Sequence, residues 1–335
     1  MNRYFSIIVP VYNRPEEVRE LLGSLQKQDF KKEFEVVIVE DGSLESSESV
    51  VNSYQKNLQI SYYFKANSGP GDSRNFGMEK AKGDYYIILD SDCILPSQYL
   101  TEVDTELQNE FVHCFGGPDA ADDSFTTVQK AINYVMTSFF TTGGIRGGKK
   151  SVGKFQPRSF NMGISKEAFE KTGGFGRIHP GEDPDLIFRI WKAGFDTRLF
   201  PNAFVYHKRR IDWNKFYIQV NKFGMVRPIL NHWHKGTAKP TYWFPTLFIM
   251  GLLLALLLAW FEIDLPLWLY GCYFTVLLFD ALVKTGNLKV AILSIFAALT
   301  QFVGYGLGFF KSTMLLNFSK KEPEELFPKL FFKKK

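Results

Sequence analysis

Two carboxylates spaced one residue apart follow an apolar run near residue 90. The run Tyr85–Leu89 (YYIIL) has the composition of a buried strand, and Asp90-Ser91-Asp92 comes directly after it. Side chains two positions apart on an extended chain point to the same side. An Asp-x-Asp pair is common in surface loops, but at the edge of an apolar core two carboxylates repel unless a cation joins them. Because carboxylates suit Mg²⁺ and Mn²⁺, the pattern predicts a divalent-metal site that could also hold a diphosphate.

A second acidic cluster lies in the segment 181–185 (GEDPD), ahead of an amphipathic stretch. Acidic residues in the first turn of a helix ordinarily complement its dipole. Glu182, Asp183 and Asp185 are more than capping requires, so one of them is a candidate general base. His207 ends a later apolar run, and its imidazole is either structural or a further ligand for the predicted metal ion.

Residues that could bind a nucleotide surround these clusters. The segment 67–75 (NSGPGDSRN) is either an ordinary helix start or a phosphate site whose amide groups act with Arg74, one turn into the helix. Arg209 and Arg210 could clamp phosphates, or they belong to a basic segment beside a membrane. Asp41 could accept a hydrogen bond from a nucleobase or ribose, although taken alone it fits a turn or N-cap better. No GxGxxG follows the first strand, which disfavours a dinucleotide-binding domain.

The elements that must position these residues alternate between strand and helix periods. Short β-rich runs occupy 4–11, 34–39, 60–64 and 85–89. Helical patterns occupy 15–28, 70–82 and 97–109, with Asn13 as the expected cap of the first. This alternation predicts an α/β fold with a mostly parallel sheet covered on both faces. Such sheets bind ligands at the carboxyl ends of their strands, where the polar clusters lie.

Composition excludes several classes of protein. The chain has 335 residues, a length typical of two units. A net charge of +5, spread along the chain, argues against nucleic acid as a partner. Apolar residues make up 45% of the chain, which rules out intrinsic disorder. The three cysteines are far apart, so neither a disulfide framework nor a structural zinc site is expected, and a reducing compartment fits best.

Three long apolar runs follow residue 240. Trp243–Phe261 and Val290–Phe310 contain no charged residue, and Leu265–Val283 contains only Asp280. At ~1.5 Å of rise per residue, each run nearly matches a ~30 Å hydrocarbon layer. Buried core helices seldom stay apolar on all sides for such a length, so the sequence predicts a membrane domain with about three transmembrane segments over 243–310.

The flanking charges predict the orientation. The segment 207–239 contains eight Lys or Arg residues and a single Asp, which places residues 1–235 on the cytoplasmic face of the inner membrane. The first apolar run is too short for a signal peptide. The basic tail 311–335 conflicts with three crossings, which would put it outside. Either the third segment is re-entrant, or the tail is an amphipathic piece on the far surface.

The order of these motifs resembles that of the family 2 glycosyltransferases. The resemblance covers roughly residues 4–235 and rests on SIIVPVYNR, VEDGS, NSGPGDSRNFGMEKAKGDYYIILDSD and GEDPDL. It implies a GT-A fold and an inverting enzyme that uses a nucleotide-diphospho-sugar. The chain departs from the family pattern at Glu40, where an Asp is usual, and it lacks the QxxRW motif of processive synthases.

The resemblance also implies roles for individual residues. Asp183 would be the base that deprotonates the acceptor, Asp92 would bind Mn²⁺ or Mg²⁺, and His207 is a candidate second ligand. The donor would be bound by Pro10, Tyr12, Asp41 and Arg74, with Asp90 close to the nucleotide and Arg209 and Arg210 as candidate phosphate contacts. On the acceptor side we expect Arg158, Asn161 and Glu182.

These expectations together predict a membrane-anchored glycosyltransferase that builds a cell-surface polysaccharide or glycolipid on a lipid or lipid-linked acceptor. A processive polysaccharide synthase and a non-catalytic membrane scaffold that retains the fold are the alternatives. The glycine-rich segment 141–150 is either a mobile lid or a plain surface loop. The aromatic, basic segment 212–234 is either an interfacial helix that brings the active site to the bilayer or a structural linker.

Overall fold

The computed structural model describes residues 3–120, 125–143, 154–207 and 212–332. The chain forms two compact units, each built from separate stretches of sequence. The first, which we call the sheet unit, comprises Met1–Asp122, Gly153–Lys208 and Phe331–Lys335. The second, the helical unit, comprises Asp123–Val152 and Arg209–Leu330. The boundary near residue 208 lies before the predicted one at 235, and a stretch in the middle of the sequence belongs with the later helices.

The strands and helices are numbered in chain order. The strands are β1 Phe5–Val11, β2 Phe34–Asp41, β3 Gln59–Lys65, β4 Tyr85–Leu89, β5 Cys93–Ile94, β6 Cys114–Gly116, β7 Asp119–Ala120, β8 Asn161–Ser165, β9 Thr197–Leu199 and β10 Val205–His207. The helices are α1 Pro15–Leu25, α2 Glu48–Tyr54, α3 Pro70–Lys80, α4 Tyr99–Asn109, α5 Thr127–Thr137, α6 Phe139–Thr142, α7 Lys166–Thr172, α8 Glu182–Lys192, α9 Trp213–Trp233, α10 Phe244–Trp260, α11 Leu265–Thr285, α12 Leu288–Phe318 and α13 Pro323–Leu326. Short 3₁₀ turns occupy Pro240–Trp243 and Pro328–Leu330.

The main sheet has the strand order β3-β2-β1-β4-β8-β6-β9. Its first four strands are parallel, whereas β8 is antiparallel to both β4 and β6. The predicted α/β fold with a mostly parallel sheet is therefore confirmed. The reversal of β8 matters for the site, because it pairs Asn161 at the start of β8 with Leu89 at the end of β4. A second sheet, in the order β5-β10-β7, lies in the same unit.

Both faces of the main sheet are covered, as the alternating burial of β1 shows. Ile7 and Val9 belong to one apolar cluster, which includes residues of α1 and α4. Ile8, between them, belongs to a second cluster that includes residues of α3 and α8. Side chains of a strand alternate between the two faces of its sheet, so a strand buried on both sides is apolar at successive positions.

The expected helix cap at Asn13 is wrong. The N-cap position of α1 is Arg14, and no side chain caps the helix there. Asn13 has a positive φ of 53°. Its Oδ1 accepts hydrogen bonds from the backbone N–H groups of Leu44 (2.7 Å) and Glu45 (3.2 Å). Asn tolerates this left-handed conformation, and its side chain therefore joins the loop after β1 to the loop after β2.

Three helices of the helical unit are long and apolar enough to cross a membrane, as predicted. They extend over Pro240–Trp260, Leu265–Thr285 and Leu288–Phe318, so the third is longer than the predicted 290–310. The 212–234 segment forms the single helix α9, which packs along α12. A Cβ atom on Gly224 of α9 would lie 2.2 Å from the carbonyl oxygen of Tyr305, and one on Gly308 would lie 2.3 Å from that of Asn221. Glycine thus lets the two backbones approach closely.

The charged residue in the second span has partners within the helical unit. Asp280 Oδ2 accepts a hydrogen bond from Tyr134 Oη of α5 (2.5 Å) and lies 3.0 Å from Lys284 Nζ. Charged groups inside apolar helices are costly unless they are paired. This polar contact therefore holds α5 against α11.

Candidate active site

The predicted site residues that the structure describes gather at one edge of the sheet unit. The edge is formed by the carboxyl ends of β1, β2 and β4, by the start of β8 and by the first turn of α8. Parallel strands bring their carboxyl ends together, and the antiparallel β8 brings its amino end to the same edge. Residues separated by more than a hundred positions in the sequence meet there.

Asp41, at the end of β2, shapes the loop that leads into α3. Its Oδ1 accepts hydrogen bonds from Lys65 Nζ (2.6 Å) and the Ser68 N–H (3.0 Å), and its Oδ2 accepts one from the Gly69 N–H (2.9 Å). Asp41 and Lys65 are both almost fully buried. Sequence reasoning missed Lys65, although the parallel register of β2 and β3 places it directly beside Asp41.

The departure from the family pattern at Glu40 has a structural reason. Glu40 is fully buried, and Oε1 accepts a short hydrogen bond from Ser43. Oε2 accepts hydrogen bonds from the Ser47 hydroxyl and from the Ser47 N–H, the latter at 2.9 Å. Glu40 therefore fixes the loop after β2. On the neighbouring strand Pro10 is partly buried, whereas Tyr12 stays 51% exposed and offers an aromatic ring at the end of β1.

Arg74, one turn into α3, joins two acidic segments that are far apart in sequence. Its Nη2 donates to Asp90 Oδ1 at 2.9 Å, and its Nη1 donates to Glu182 Oε1 at 3.3 Å. Arg74 and Glu182 are buried, whereas Asp90 is partly exposed. An Arg fork that holds two carboxylates fixes their relative position.

The pKa of Glu182 is lowered by its partners in this group. Its Oε1 also lies 2.9 Å from His179 Nδ1. Burial raises the pKa of Glu182, but the hydrogen bond and charge of His179, together with the charge of Arg74, outweigh burial and lower that pKa to about 2. Glu182 therefore supplies fixed negative charge beside its neighbour Asp183.

The pKa of Asp183 is shifted in the opposite direction, upward. Its Oδ2 accepts a hydrogen bond from the Ser159 N–H at 3.1 Å. Its Oδ1 is buried, and within residues 3–120, 125–143, 154–207 and 212–332 it has no hydrogen-bond partner. Burial and the negative charge of Glu182 raise the pKa of Asp183, against a smaller opposing influence of Arg74 and Arg158. A carboxylate with a raised pKa and an unused oxygen is suited to accept a proton.

Asp92 and His207 form the candidate metal centre. His207 Nε2 lies 3.1 Å from Asp92 Oδ1, and Arg14 Nη1 donates to Asp92 Oδ2 at 2.7 Å. Burial raises the pKa of Asp92, but His207 and Arg14 outweigh it and lower that pKa. The antiparallel pairing of β10 with β5 places His207 beside Cys93. Sequence reasoning missed Arg14, because no local sequence pattern indicates its pairing with Asp92.

The donor set of this centre fits a divalent cation such as Mn²⁺ or Mg²⁺. Ligand atoms of Asp92, Cys93 and His207 lie within 4.8 Å of one another. Burial raises the pKa of the Cys93 thiol well above its usual value, and its Sγ donates to the Phe160 carbonyl at 3.4 Å. A protonated thiol is a poor ligand for a hard ion, which leaves the carboxylate and the imidazole.

The two further acceptor-side candidates, Arg158 and Asn161, flank the Ser159–Phe160 segment, from which Ser159 contacts Asp183. Arg158 and Asn161 form an isolated antiparallel bridge around the Ser159 N–H donor. Asn161 is fully buried, and its Oδ1 accepts a hydrogen bond from Tyr99 Oη (2.6 Å) while its Nδ2 donates to the Ala203 carbonyl (2.8 Å). The amide of Asn161 thus anchors the loop that presents Ser159 to Asp183.

Some of the predicted features lie outside the described residues. Arg209 and Arg210, the candidate phosphate contacts, are among them, as are residues 144–150 of the predicted lid. Of that segment the structure describes only its first residues, at the end of α6.

This combination of a parallel sheet with a reversed strand, a DxD carboxylate and a buried acid on a helix start defines a glycosyltransferase of the GT-A fold. The chain matches the family described as glycosyl transferase family 2 over residues 6–173, and it belongs to that family. The predicted family and enzyme class are confirmed.

Relatives of known activity match parts of the chain. Poly(ribitol-phosphate) beta-N-acetylglucosaminyltransferase TarS of Staphylococcus aureus is 41% identical over 101 residues, which cover 29% of this chain and 18% of TarS. GalNAc(5)-diNAcBac-PP-undecaprenol beta-1,3-glucosyltransferase of Campylobacter jejuni is 33% identical over 114 residues, which cover 33% of this chain and 37% of that enzyme. The chain thus spans well under half the length of these relatives.

Solved structures share the fold at low sequence identity. Mannosyltransferase PcManGT from Pyrobaculum calidifontis, in complex with GDP-Man and Mn²⁺, is similar with a TM-score of 0.58 and 17% identity, over 96% of this chain and 89% of PcManGT. Residues 1–349 of S. aureus TarS are similar with a TM-score of 0.52 and 18% identity, over 93% and 91% of the two chains. The GT-A fold is therefore shared with both.

Proposed function

We propose that this protein is an inverting, metal-dependent glycosyltransferase that moves a sugar from a nucleoside-diphosphate donor to a hydroxyl of a lipid-linked acceptor. The observation that carries the proposal is the buried Oδ1 of Asp183, which has no hydrogen-bond partner in the described part of the chain and belongs to a carboxyl group with a raised pKa. It lies on the same edge of the sheet as the Asp92–His207 pair and the Arg74 fork. The reaction requires a general base, ligands for a metal ion and a positively charged side chain that suits a phosphate. Asp183, the Asp92–His207 pair and Arg74 would supply these groups.

The donor nucleotide is assigned to the ends of β1 and β2. Tyr12 offers an exposed ring against which a nucleobase can stack, beside Pro10. Asp41 Oδ2, which accepts the Gly69 N–H, has a second lone pair that can accept an N–H group of a nucleobase. Arg74 and Asp90 lie nearer the reacting centre, where the guanidinium suits a phosphate.

Asp92 and His207 are the residues that would hold a divalent cation. Such an ion neutralises the charge that develops on the departing diphosphate. Arg14 Nη1 donates to Asp92 Oδ2 at 2.7 Å, which places a second positive group beside the residues that would hold the ion.

Asp183 is assigned as the general base. Its Oδ1 takes the proton of the acceptor hydroxyl while that oxygen forms a bond to the anomeric carbon of the donor sugar. The bond from the anomeric carbon to the diphosphate breaks on the opposite face, the diphosphate leaves with the electron pair, and the anomeric configuration inverts. The Ser159 N–H holds Oδ2, so that Oδ1 keeps its direction.

Three apolar helices and the name of one relative support a lipid-linked acceptor. The C. jejuni enzyme is named for an undecaprenol-linked glycan, and helices long enough to cross a membrane favour an acceptor that resides in one. The excess of Lys and Arg between His207 and Lys239 favours an inner-membrane protein with several spans and its catalytic residues in the cytoplasm.

Ligand-dependent thermal unfolding of the purified protein tests this proposal. UDP, GDP, dTDP and CDP are each added with and without Mn²⁺, and a ligand that binds only the folded state raises the unfolding midpoint. We expect one nucleotide to stabilise the protein, and to do so strongly only with Mn²⁺. The Asp92→Asn variant is expected to lose the metal-dependent part, whereas Asp196→Asn, an exposed carboxylate paired with Lys154, retains it. No response to any nucleotide contradicts the proposal.

A further inference from the structure

The C-terminal residues Phe331 and Phe332, which we call the strap, belong to the sheet unit although three long helices precede them in sequence. Phe331 forms an isolated antiparallel bridge with Ile178. The Phe332 N–H donates to the Arg177 carbonyl at 3.1 Å. The strap therefore pairs with the segment that leads into Glu182.

The ring of Phe332 lies against the backbone of Gly69. A Cβ atom on Gly69 would lie 2.3 Å from Cδ2 and 2.4 Å from Cε2 of that ring, so only glycine fits beneath it. Gly69 also has a φ of 97°, a conformation that glycine adopts readily. The centre of the Phe332 ring is 6.0 Å from that of the His179 ring. One aromatic side chain thus contacts two loops of the active site.

Each of those loops also contacts a residue that the proposed mechanism depends on. The Ser68 and Gly69 N–H groups donate to Asp41, which is assigned to the nucleobase. His179 lies 2.9 Å from Glu182, which sets the charge beside Asp183. Ser68, His179 and Phe332 line one cleft, together with Asp72 and Arg177. The strap therefore lies where it can keep both loops in position at once.

We propose that Phe332 is a positioning residue for the donor nucleotide: by packing on Gly69 it keeps the Ser68–Gly69 turn in the conformation that fixes Asp41. The proposal rests on the assignment of Asp41 to the donor. A short turn that contains glycine has high conformational freedom without a covering side chain. Binding that requires one conformation is weakened in proportion to the loss of its population.

The test compares nucleotide binding by the wild-type protein and Phe332→Ala, with UDP, GDP, dTDP and CDP as probes in saturating Mn²⁺. We expect the stabilising nucleotide to bind about tenfold more weakly to Phe332→Ala, because the Ser68–Gly69 turn would then spend most of its time in other conformations. Mn²⁺ binding, measured without nucleotide by the paramagnetic resonance of free Mn²⁺, is expected to be unchanged, because Asp92 and His207 do not touch the strap. Phe318→Ala, which removes an 86% exposed ring at the end of α12, is the matched control and retains full affinity.

Two further variants separate positioning from folding. Phe332→Tyr keeps the ring and is expected to restore affinity, whereas Phe332→Leu restores only part of it. If Phe332→Ala unfolds, Phe332→Leu serves in its place, because it removes only the ring and leaves the backbone pairing of Phe331 and Phe332. Equal nucleotide affinity in folded wild type and Phe332→Ala would overturn the role of the strap alone. Failure of the wild type to bind any nucleotide would overturn the proposed function itself.

Discussion

The sheet unit and the helical unit bury opposite kinds of residue. In the sheet unit the interior holds Val, Ile and Phe, and several charged groups are buried at the strand ends, among them Glu40, Asp41, Arg74 and Glu182. In the helical unit large apolar residues such as Leu253, Leu257 and Trp268 are exposed. Its buried positions include many small residues, which are Ala291, Ser294, Ala297, Ala298, Gly304, Gly306, Gly308 and Ser312.

This contrast shows that burial serves different ends in the two units. A protein interior in water gains stability from large apolar side chains, and buried charges at strand ends are costly unless they are paired; here they are paired and fix the loops of the candidate site. Helices among lipid tails gain little from burying Leu, and they associate through small residues that let backbones approach. Substitutions in the sheet-unit site are therefore expected to affect activity most, and substitutions at the packed glycines are expected to affect stability most.

Asp183→Asn gives the largest expected effect and tests the first half of this contrast. General-base catalysis contributes roughly 10²–10⁴-fold, and we expect turnover to fall by about that factor, since an amide cannot take the acceptor proton. Nucleotide affinity is expected to persist. Steady-state kinetics and the ligand-dependent unfolding midpoint measure the two quantities.

The same variant is expected to be at least as stable as the wild type near neutral pH. The folded-state pKa of Asp183 is raised above its unfolded value. The ionised carboxylate therefore costs folding free energy at pH values above the unfolded pKa, and this cost is relieved only as the pH falls. Asn has no charge to bury. A marked loss of stability in Asp183→Asn, or retained turnover, would show that Asp183 is a structural residue.

A pair of glycine substitutions tests the second half. A Cβ at Gly224 would lie 2.2 Å from a backbone oxygen of α12, whereas Gly271 of α11 has no atom within 4 Å of its Cβ position in the described part of the chain. Gly224→Ala is expected to lower stability by about 1–3 kcal/mol through overpacking. Gly271→Ala is expected to be neutral or slightly stabilising because Ala favours the helix. Unfolding midpoints of the two variants in the same detergent decide the matter, and equal midpoints would refute close packing of α9 on α12.

Glu182→Gln gives the smallest expected effect and sharpens the role of buried charge in the site. Removing the negative charge of Glu182 lowers the pKa of Asp183, because the remaining charges that face it, Arg74 and Arg158, favour the ionised form. Activity of a base is lost as the pH falls through its pKa, so the acidic limb of the kcat/KM profile is expected to move to lower pH. Gln keeps an oxygen for Arg74 and His179, which limits damage to the fold. An unmoved limb would mean that another group controls it.

Much of the site could be predicted because its signals are local. The DxD pair, the acidic start of α8 and the strand that ends at His207 are each visible in a few consecutive residues. The long apolar helices are visible for the same reason. What the sequence did not reveal are pairings made across the fold, such as Lys65 with Asp41 and Arg14 with Asp92.

The wrong cap at Asn13 has a related cause. An Asn before Pro15 fits the local pattern of a helix start. In the structure the loop after β2 offers two backbone N–H groups to the same side chain. A contact that only the assembled sheet provides overrode the local preference, and no pattern within a few residues of Asn13 indicates it.

The strap also has a consequence for the path of the chain through a bilayer. A chain that returns to the side from which it left has made an even number of passages, and Phe331 pairs with Ile178 of the sheet unit after α10, α11 and α12 have been traversed. We therefore expect an even number of complete passages among the three apolar helices. A tail on the far surface would require Phe331 to leave Ile178.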